Sequence, residues 1–282
     1  MIVSALASAG WFGVSLVTLL GDPLVLAGLG LGAFRFGDRL PAVGDRLESR
    51  RHALAFATIV GALALSAALK AGFGLTRLPG AADLPGVAGM PDAFVPIYTW
   101  IVGPGGHAFP SGHATAATVG WLGLAWAFRG KHRNRTLFLA GCLIAAISAS
   151  RIALGVHRPH EVLAGVAVGL AYLLVAFGVL GTPRRAFALA GLFGVVGPVT
   201  VGLTGDGLLA AAVALGTAVG WEPTRRRGAA VSTATALFGV FLLAGVTFVR
   251  SGLIQTGVAL AGVGSGTAMV IGRNRGRDSK NE

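Results

Sequence analysis

The chain has 282 residues, of which 54% are hydrophobic and only 12% charged. So much apolar surface excludes an ordinary soluble domain and points to a polytopic membrane protein. The net charge of +12 would suggest nucleic acid in a soluble chain, but here the basic residues fall between apolar stretches, which ties them to membrane topology and argues against a nucleic-acid partner.

A helix needs about 20 residues to cross the hydrocarbon core. Apolar stretches near 11–34, 53–70, 111–128, 137–156, 160–181, 186–203, 206–220, 229–249 and 253–271 predict an all-α membrane bundle of about nine transmembrane helices. The first stretch lacks a basic leader and stays apolar past residue 30, so it reads as retained rather than as a cleaved signal. Asp22-Pro23 interrupts it, and the aspartate reads as the cap of a broken helix. Residues 71–110 form a long Gly- and Pro-rich connection with the length of a lid; within it, Phe94 to Ile101 suits the membrane interface, with Tyr98 and Trp100 as anchors. Cys142, the sole cysteine, lies in an apolar stretch and predicts packing; alone it can form neither an intrachain disulfide nor a cysteine-based metal cluster.

Of the 23 lysines and arginines, all but Lys70, Arg77, Arg151, Arg158 and Arg250 fall on one side of the predicted spans. The positive-inside rule makes that side cytoplasmic, with the N-terminus and the exceptional residues outside and the C-terminus inside.

Three clusters carry chemistry. Lys70 and Arg77 are seven residues apart, two turns and hence one face if the helix continues, although Gly72 and Gly74 weaken it. Pro110-Ser111-Gly112-His113 opens an apolar run, so Ser111 sits near an N-cap and the following N–H groups point at an anion. Gly112 allows phosphate to approach the backbone, and an imidazole such as that of His113 titrates near neutrality. Ser150-Arg151 lies near the outer end of a helix, where a buried guanidinium needs a partner and its fork matches two phosphate oxygens. Ser150 reads equally as a donor or as a small packing residue. His157 precedes Pro159, which suits a first helical turn and puts Glu161 at N3, where its carboxylate can reach back to the imidazole and fix its tautomer.

The order Lys-x6-Arg, Pro-Ser-Gly-His, Ser-Arg-x5-His-x3-Glu resembles the three-part signature of the type 2 phosphatidic acid phosphatase superfamily, over roughly residues 53–181. Leu78 intervenes before Pro79, where the family usually has Pro directly after the first Arg. Glu161 stands where the family usually has Asp. Gly103-Pro104-Gly105, Pro159-His160 and the nine-helix count are similar to the glucose-6-phosphatase branch.

The resemblance implies a metal-independent phosphatase without a cofactor. His157 would attack phosphorus, Glu161 orient it, and His113 protonate the leaving oxygen. Lys70, Arg77, Ser111, Gly112, Ser150 and Arg151 would bind phosphate. The implied substrate is a lipid or polyprenyl phosphate or diphosphate, with a sugar phosphate, or transfer to another acceptor, as alternatives; the superfamily's vanadate haloperoxidases are typically soluble. A non-enzymatic transporter is the remote alternative. Expected units are residues 1–52, an N-terminal span and cytoplasmic loop; 53–181, the phosphatase core; and 182–282, extra helices that read as scaffold or homo-oligomer contact, ending in a basic tail.

Overall fold

The computed structural model describes residues 2–36, 49–103, 106–127, 132–201, 210–211 and 213–218. The described residues are helical throughout their regular structure, with no strand. The helices are α1 (Ile2–Leu19), α2 (Pro23–Phe36), α3 (Ser49–Phe73), α4 (Val95–Val102), α5 (Gly112–Ala127), α6 (Arg133–Ala153), α7 (Pro159–Leu173) and α8 (Pro183–Val201). A π-helical stretch, Leu174–Leu180, prolongs α7 and ends at Gly181.

Helix α3 is central. Of its most apolar window 72% is buried, against 28% for α6 and 33% for α7 with its extension. Leu54, Phe56, Ala57 and Val60 of α3 pack on Ala186, Phe187 and Ala190 of α8, while Ile59 and Ala62 meet Leu26, Ala116, Val119 and Tyr172 from α2, α5 and α7. The outward faces of α6 and α7 stay apolar, with Phe138, Leu163, Leu174 and Val179 exposed. In water such faces are a liability; in lipid they are the ordinary exterior.

Among the described residues, three helical spans, Arg50–Phe73, Arg133–Ala153 and Pro159–Leu180, are long and apolar enough to cross a membrane. A fourth candidate is the pair Leu6–Leu19 and Pro23–Phe34, bent by 51° at the Asp22-Pro23 interruption. Asp22 Oδ1 accepts the N–H groups of Leu24 at 2.8 Å and Val25 at 3.1 Å, so it caps α2 as expected. Of the nine spans read from sequence, 229–249 and 253–271 lie outside the described residues, as do 206–209, 212, 219 and 220 of the span 206–220.

The connection before α5 is more structured than its glycines suggested. Tyr98 is fully buried, and its hydroxyl donates to Pro85 O at 2.8 Å. It therefore folds the connection onto Trp11, Phe12 and Val14 of α1 instead of anchoring at an interface. Trp100 is exposed, together with Phe94 and Ile97. Cys142, expected to be a packing residue, is exposed on α6.

Candidate active site

Four elements meet at one end of α3. Lys70 lies in its last turn. The helix then stops: Gly74 takes φ 59°, a left-handed conformation natural to glycine, and its N–H donates to Lys70 O at 3.0 Å. Arg77 is therefore not on the same helical face as Lys70, contrary to the two-turn expectation. It lies in the extended strip beyond, where Nη1 donates to Val156 O at 3.0 Å and Nε to Gly106 O at 3.3 Å. Those bonds bring Arg77 Nη1 within 3.5 Å of His157 Nε2.

Ser111 stands just before α5, where a capping side chain was expected, but its buried hydroxyl has no hydrogen-bond partner among the described residues. Its backbone is tied instead: the N–H donates to Glu161 O at 3.0 Å, and the carbonyl accepts from Thr115 N at 3.0 Å. Gly112 is closely approached, since a Cβ there would lie 3.3 Å from Lys70 Nζ and 3.2 Å from Ser66 Oγ. Ser66 went unnoticed in the sequence, although it lies four residues before Lys70 and so on the same face of α3.

Helix α7 begins at Pro159, and Glu161 occupies its N3 position. One carboxylate oxygen does two things: Oε2 accepts Arg158 N–H at 3.1 Å, closing the first turn, and lies 2.8 Å from His157 Nδ1. A carboxylate can only accept, so Nδ1 carries the hydrogen and Nε2 keeps its lone pair. His157 is 3% exposed. Burial first, and then the charges of Arg151, Arg77 and Lys70, lower its pKa from 6.5 to about 2, so the imidazole is neutral.

Arg151, near the end of α6, is 2% exposed; Nη1 donates to Thr18 Oγ1 at 3.2 Å, and Nε has no hydrogen-bond partner among the described residues. His113 Nε2 is likewise buried and unmatched, and Arg151, Lys70, His157 and Arg77 all lie within its electrostatic reach. Ser150 donates its hydroxyl to Ile147 O at 2.7 Å, so its one hydrogen is already used within α6. Of the nine residues read from the sequence, Gly112 lies against Lys70, Arg77 and Glu161 against His157, and Arg151, Lys70, His157 and Arg77 within electrostatic reach of His113, while Ser150 has its donor occupied.

Residues 51–185 match the profile of the PAP2 superfamily. This region of the chain belongs to it. The match, over just under half of the chain, implies a phosphatase-type function, and the matched stretch contains Lys70, the Ser111–His113 run, Arg151, His157 and Glu161. Comparison with curated proteins and with solved structures finds no match. Among the described residues, no group of three or more His, Cys, Asp or Glu side chains is placed to hold a metal ion.

Small residues clamp the PAP2 core. Gly165 and Gly169 of α7 face α5 so closely that a Cβ at Gly165 would lie 2.6 Å from Ser111 O, and one at Gly169 2.8 Å from Thr118 Cβ. Gly165→Ala is expected to destabilise the protein by about 1–3 kcal/mol, because the obstructing atom is backbone and cannot rotate away. Activity should fall further than stability alone explains, as α7 carries Glu161 and α5 carries His113. Thermal unfolding in detergent together with kcat checks this; an unchanged melting temperature would contradict the close fit.

Proposed function

We propose that the protein is an integral-membrane phosphatase that hydrolyses a lipid or polyprenyl phosphate or diphosphate through a phosphohistidine, at the extracytoplasmic face. The observation that carries this reading is a set of buried polar atoms with no hydrogen-bond partner among the described residues, Ser111 Oγ, His113 Nε2 and Arg151 Nε, on the elements that meet the oriented His157–Glu161 pair. Buried polar groups are nearly always satisfied. Two donors and an imidazole left unmatched among cations suit a phosphate dianion.

His157 Nε2 attacks phosphorus in line with the leaving oxygen. The P–N bond forms as the P–O bond breaks, and His113 Nε2 gives its proton to the departing alkoxide. The substrate's own negative charge is what lets an imidazolium stand among Lys70, Arg77 and Arg151. Arg77, already 3.5 Å from the nucleophile, meets the phosphoryl oxygens as phosphorus arrives. Lys70, Ser111, the Gly112 N–H and the Arg151 fork share the remaining charge. A water then gives a proton to His113 and attacks phosphorus, the P–N bond breaks, and phosphate leaves.

The lipid assignment draws on Phe73, Leu75, Phe94, Ile97 and Trp100, exposed apolar side chains near the end of α3 and on the connection beyond it. An acyl or prenyl chain fits that border better than a hydroxylated sugar. The external orientation rests on the charge distribution, with cytoplasmic loops carrying most of the lysines and arginines.

The test is metal-free phosphate release by the detergent-purified protein from phosphatidate, polyprenyl phosphate, polyprenyl diphosphate and glucose 6-phosphate. Release from the lipids exceeding that from the sugar supports the reading. Release from glucose 6-phosphate alone would replace the substrate class, and no release from any would return weight to transfer or transport. The role of His113 has its own signature. His113→Ala should slow alkyl phosphates by about 10²–10⁴-fold. With para-nitrophenyl phosphate, whose leaving group needs no proton, a burst of one nitrophenolate per enzyme should persist before slow turnover.

A further inference from the structure

The bent α1–α2 pair lies N-terminal to the PAP2-matching residues, yet its elbow is wedged into the site. Trp121 Nε1 of α5 donates to Leu20 O at 3.0 Å. A Cβ at Gly21 would run into Ile147 Cγ2 of α6 and lie 3.4 Å from His113 O. The elbow thus occupies the seam between the helix that carries His113 and the helix that carries Arg151. One turn earlier, the fully buried Thr18 Oγ1 accepts Arg151 Nη1 at 3.2 Å. Asp22, at the cap of α2, is near enough for its charge to act on the same guanidinium.

We propose that the broken α1–α2 helix is a positioning device for Arg151, in which Thr18 and Asp22 hold one edge of the guanidinium so that its Nε edge stays aimed at phosphate. A guanidinium has five donors in one plane, so fixing one Nη sets the direction of the rest. The break serves this purpose: the helix stops at Leu19, and Asp22 and Pro23 start the next one at an angle, so a hydroxyl before the break bonds the arginine while a carboxylate at the break lies within its electrostatic reach. Thr18 and Asp22 do not touch the reacting atoms. Their effect passes through Arg151, and the inference rests on the phosphatase reading above.

The experiment uses the full chain in detergent with para-nitrophenyl phosphate as substrate and orthovanadate as a phosphate mimic. Thr18→Val keeps the shape and removes the acceptor; kcat/KM and vanadate affinity are each expected to fall roughly tenfold, as for one lost hydrogen bond to a charged group. Thr18→Ser, which keeps the hydroxyl, should stay within about twofold of wild type on the same reasoning. Asp22→Asn keeps the cap of α2 and removes only the charge, so it tests the idea even if Thr18→Val folds poorly; vanadate affinity should fall severalfold. The deciding comparison is on an Arg151→Lys background, where both substitutions should cost nothing further. Wild-type kinetics in Thr18→Val and Asp22→Asn, or undiminished losses on the Arg151→Lys background, would overturn the positioning role. A wild type that neither releases phosphate nor binds vanadate would overturn the phosphatase reading itself, an outcome visible before any variant is compared.

Discussion

His157→Ala is expected to lower phosphate release by about 10⁴-fold or more, the scale on which removing a covalent nucleophile acts. The surroundings of the imidazole fit attack. Its Nδ1–H is committed to Glu161 Oε2 at 2.8 Å, and burial among cations keeps Nε2 unprotonated. Its 3% exposure leaves water little room to compete for that lone pair. Rapid quenching of the wild type with ³²P-labelled substrate should trap radioactivity on the protein that is stable in base and lost in acid, the behaviour of a phosphoramidate. The alanine variant should trap none. Its vanadate affinity should fall much less than its turnover, because Lys70, Arg77, Ser111 and Arg151 keep their places. Full turnover in the variant would remove the phosphohistidine from the mechanism.

The parts of the site read correctly from sequence share a cause: local geometry dictates them. Pro159 can start a helix because its missing N–H costs nothing in the first turn, which fixes Glu161 at N3 and brings its carboxylate back over Arg158 N–H and His157. Asp22 before Pro23 follows the same logic. Long-range contacts were not legible. Arg77 reaches His157 through carbonyls of Gly106 and Val156, distant in sequence, after a glycine ended the helix expected to carry it. Thr18 looks like any threonine in an apolar helix until α1 packs on α6. Tyr98 and Trp100 had equal claims to an interface on composition, and only the fold of the connection separates them into one buried and one exposed ring.

Basic loops and apolar faces are both compatible with a membrane around the bundle. The described helices bury α3 and leave α6 and α7 with long exposed apolar sides, while Lys70, Arg77, Arg151 and His157 gather at the end of α3 opposite Arg50 and Arg51. Cations gathered within helices suit a site that receives an anion. On the proposed reading, the positive-inside arrangement does not conflict with basic residues outside, because those residues would serve the phosphate site and not topology.

Glu161→Gln is expected to lower kcat by about 10²–10³-fold, with KM changed far less, because it leaves shape and burial intact while removing the charge that orients His157. A glutamine amide can still accept through oxygen, but it brings no negative charge to stabilise the positive imidazole ring of the phosphohistidine, and its NH2 face favours the wrong tautomer. The consequence for Glu161→Asp is more specific. Aspartate, usual at this position in the superfamily the chain resembles, is shorter by one methylene. Here Oε2 satisfies two donors at once, Arg158 N–H at 3.1 Å and His157 Nδ1–H at 2.8 Å. The Ser111 N–H also fastens α5 to Glu161 O at 3.0 Å, and that backbone bond is indifferent to the side chain. Glu161→Asp should therefore keep the fold and the α5–α7 junction but reach only one donor well, reducing kcat about tenfold, as for one weakened charge-assisted hydrogen bond. Steady-state kinetics on all three proteins, with melting temperatures alongside, check the order Glu, Asp, Gln. Equal activity of Glu161→Gln and wild type would show that the carboxylate charge plays no part in the attack.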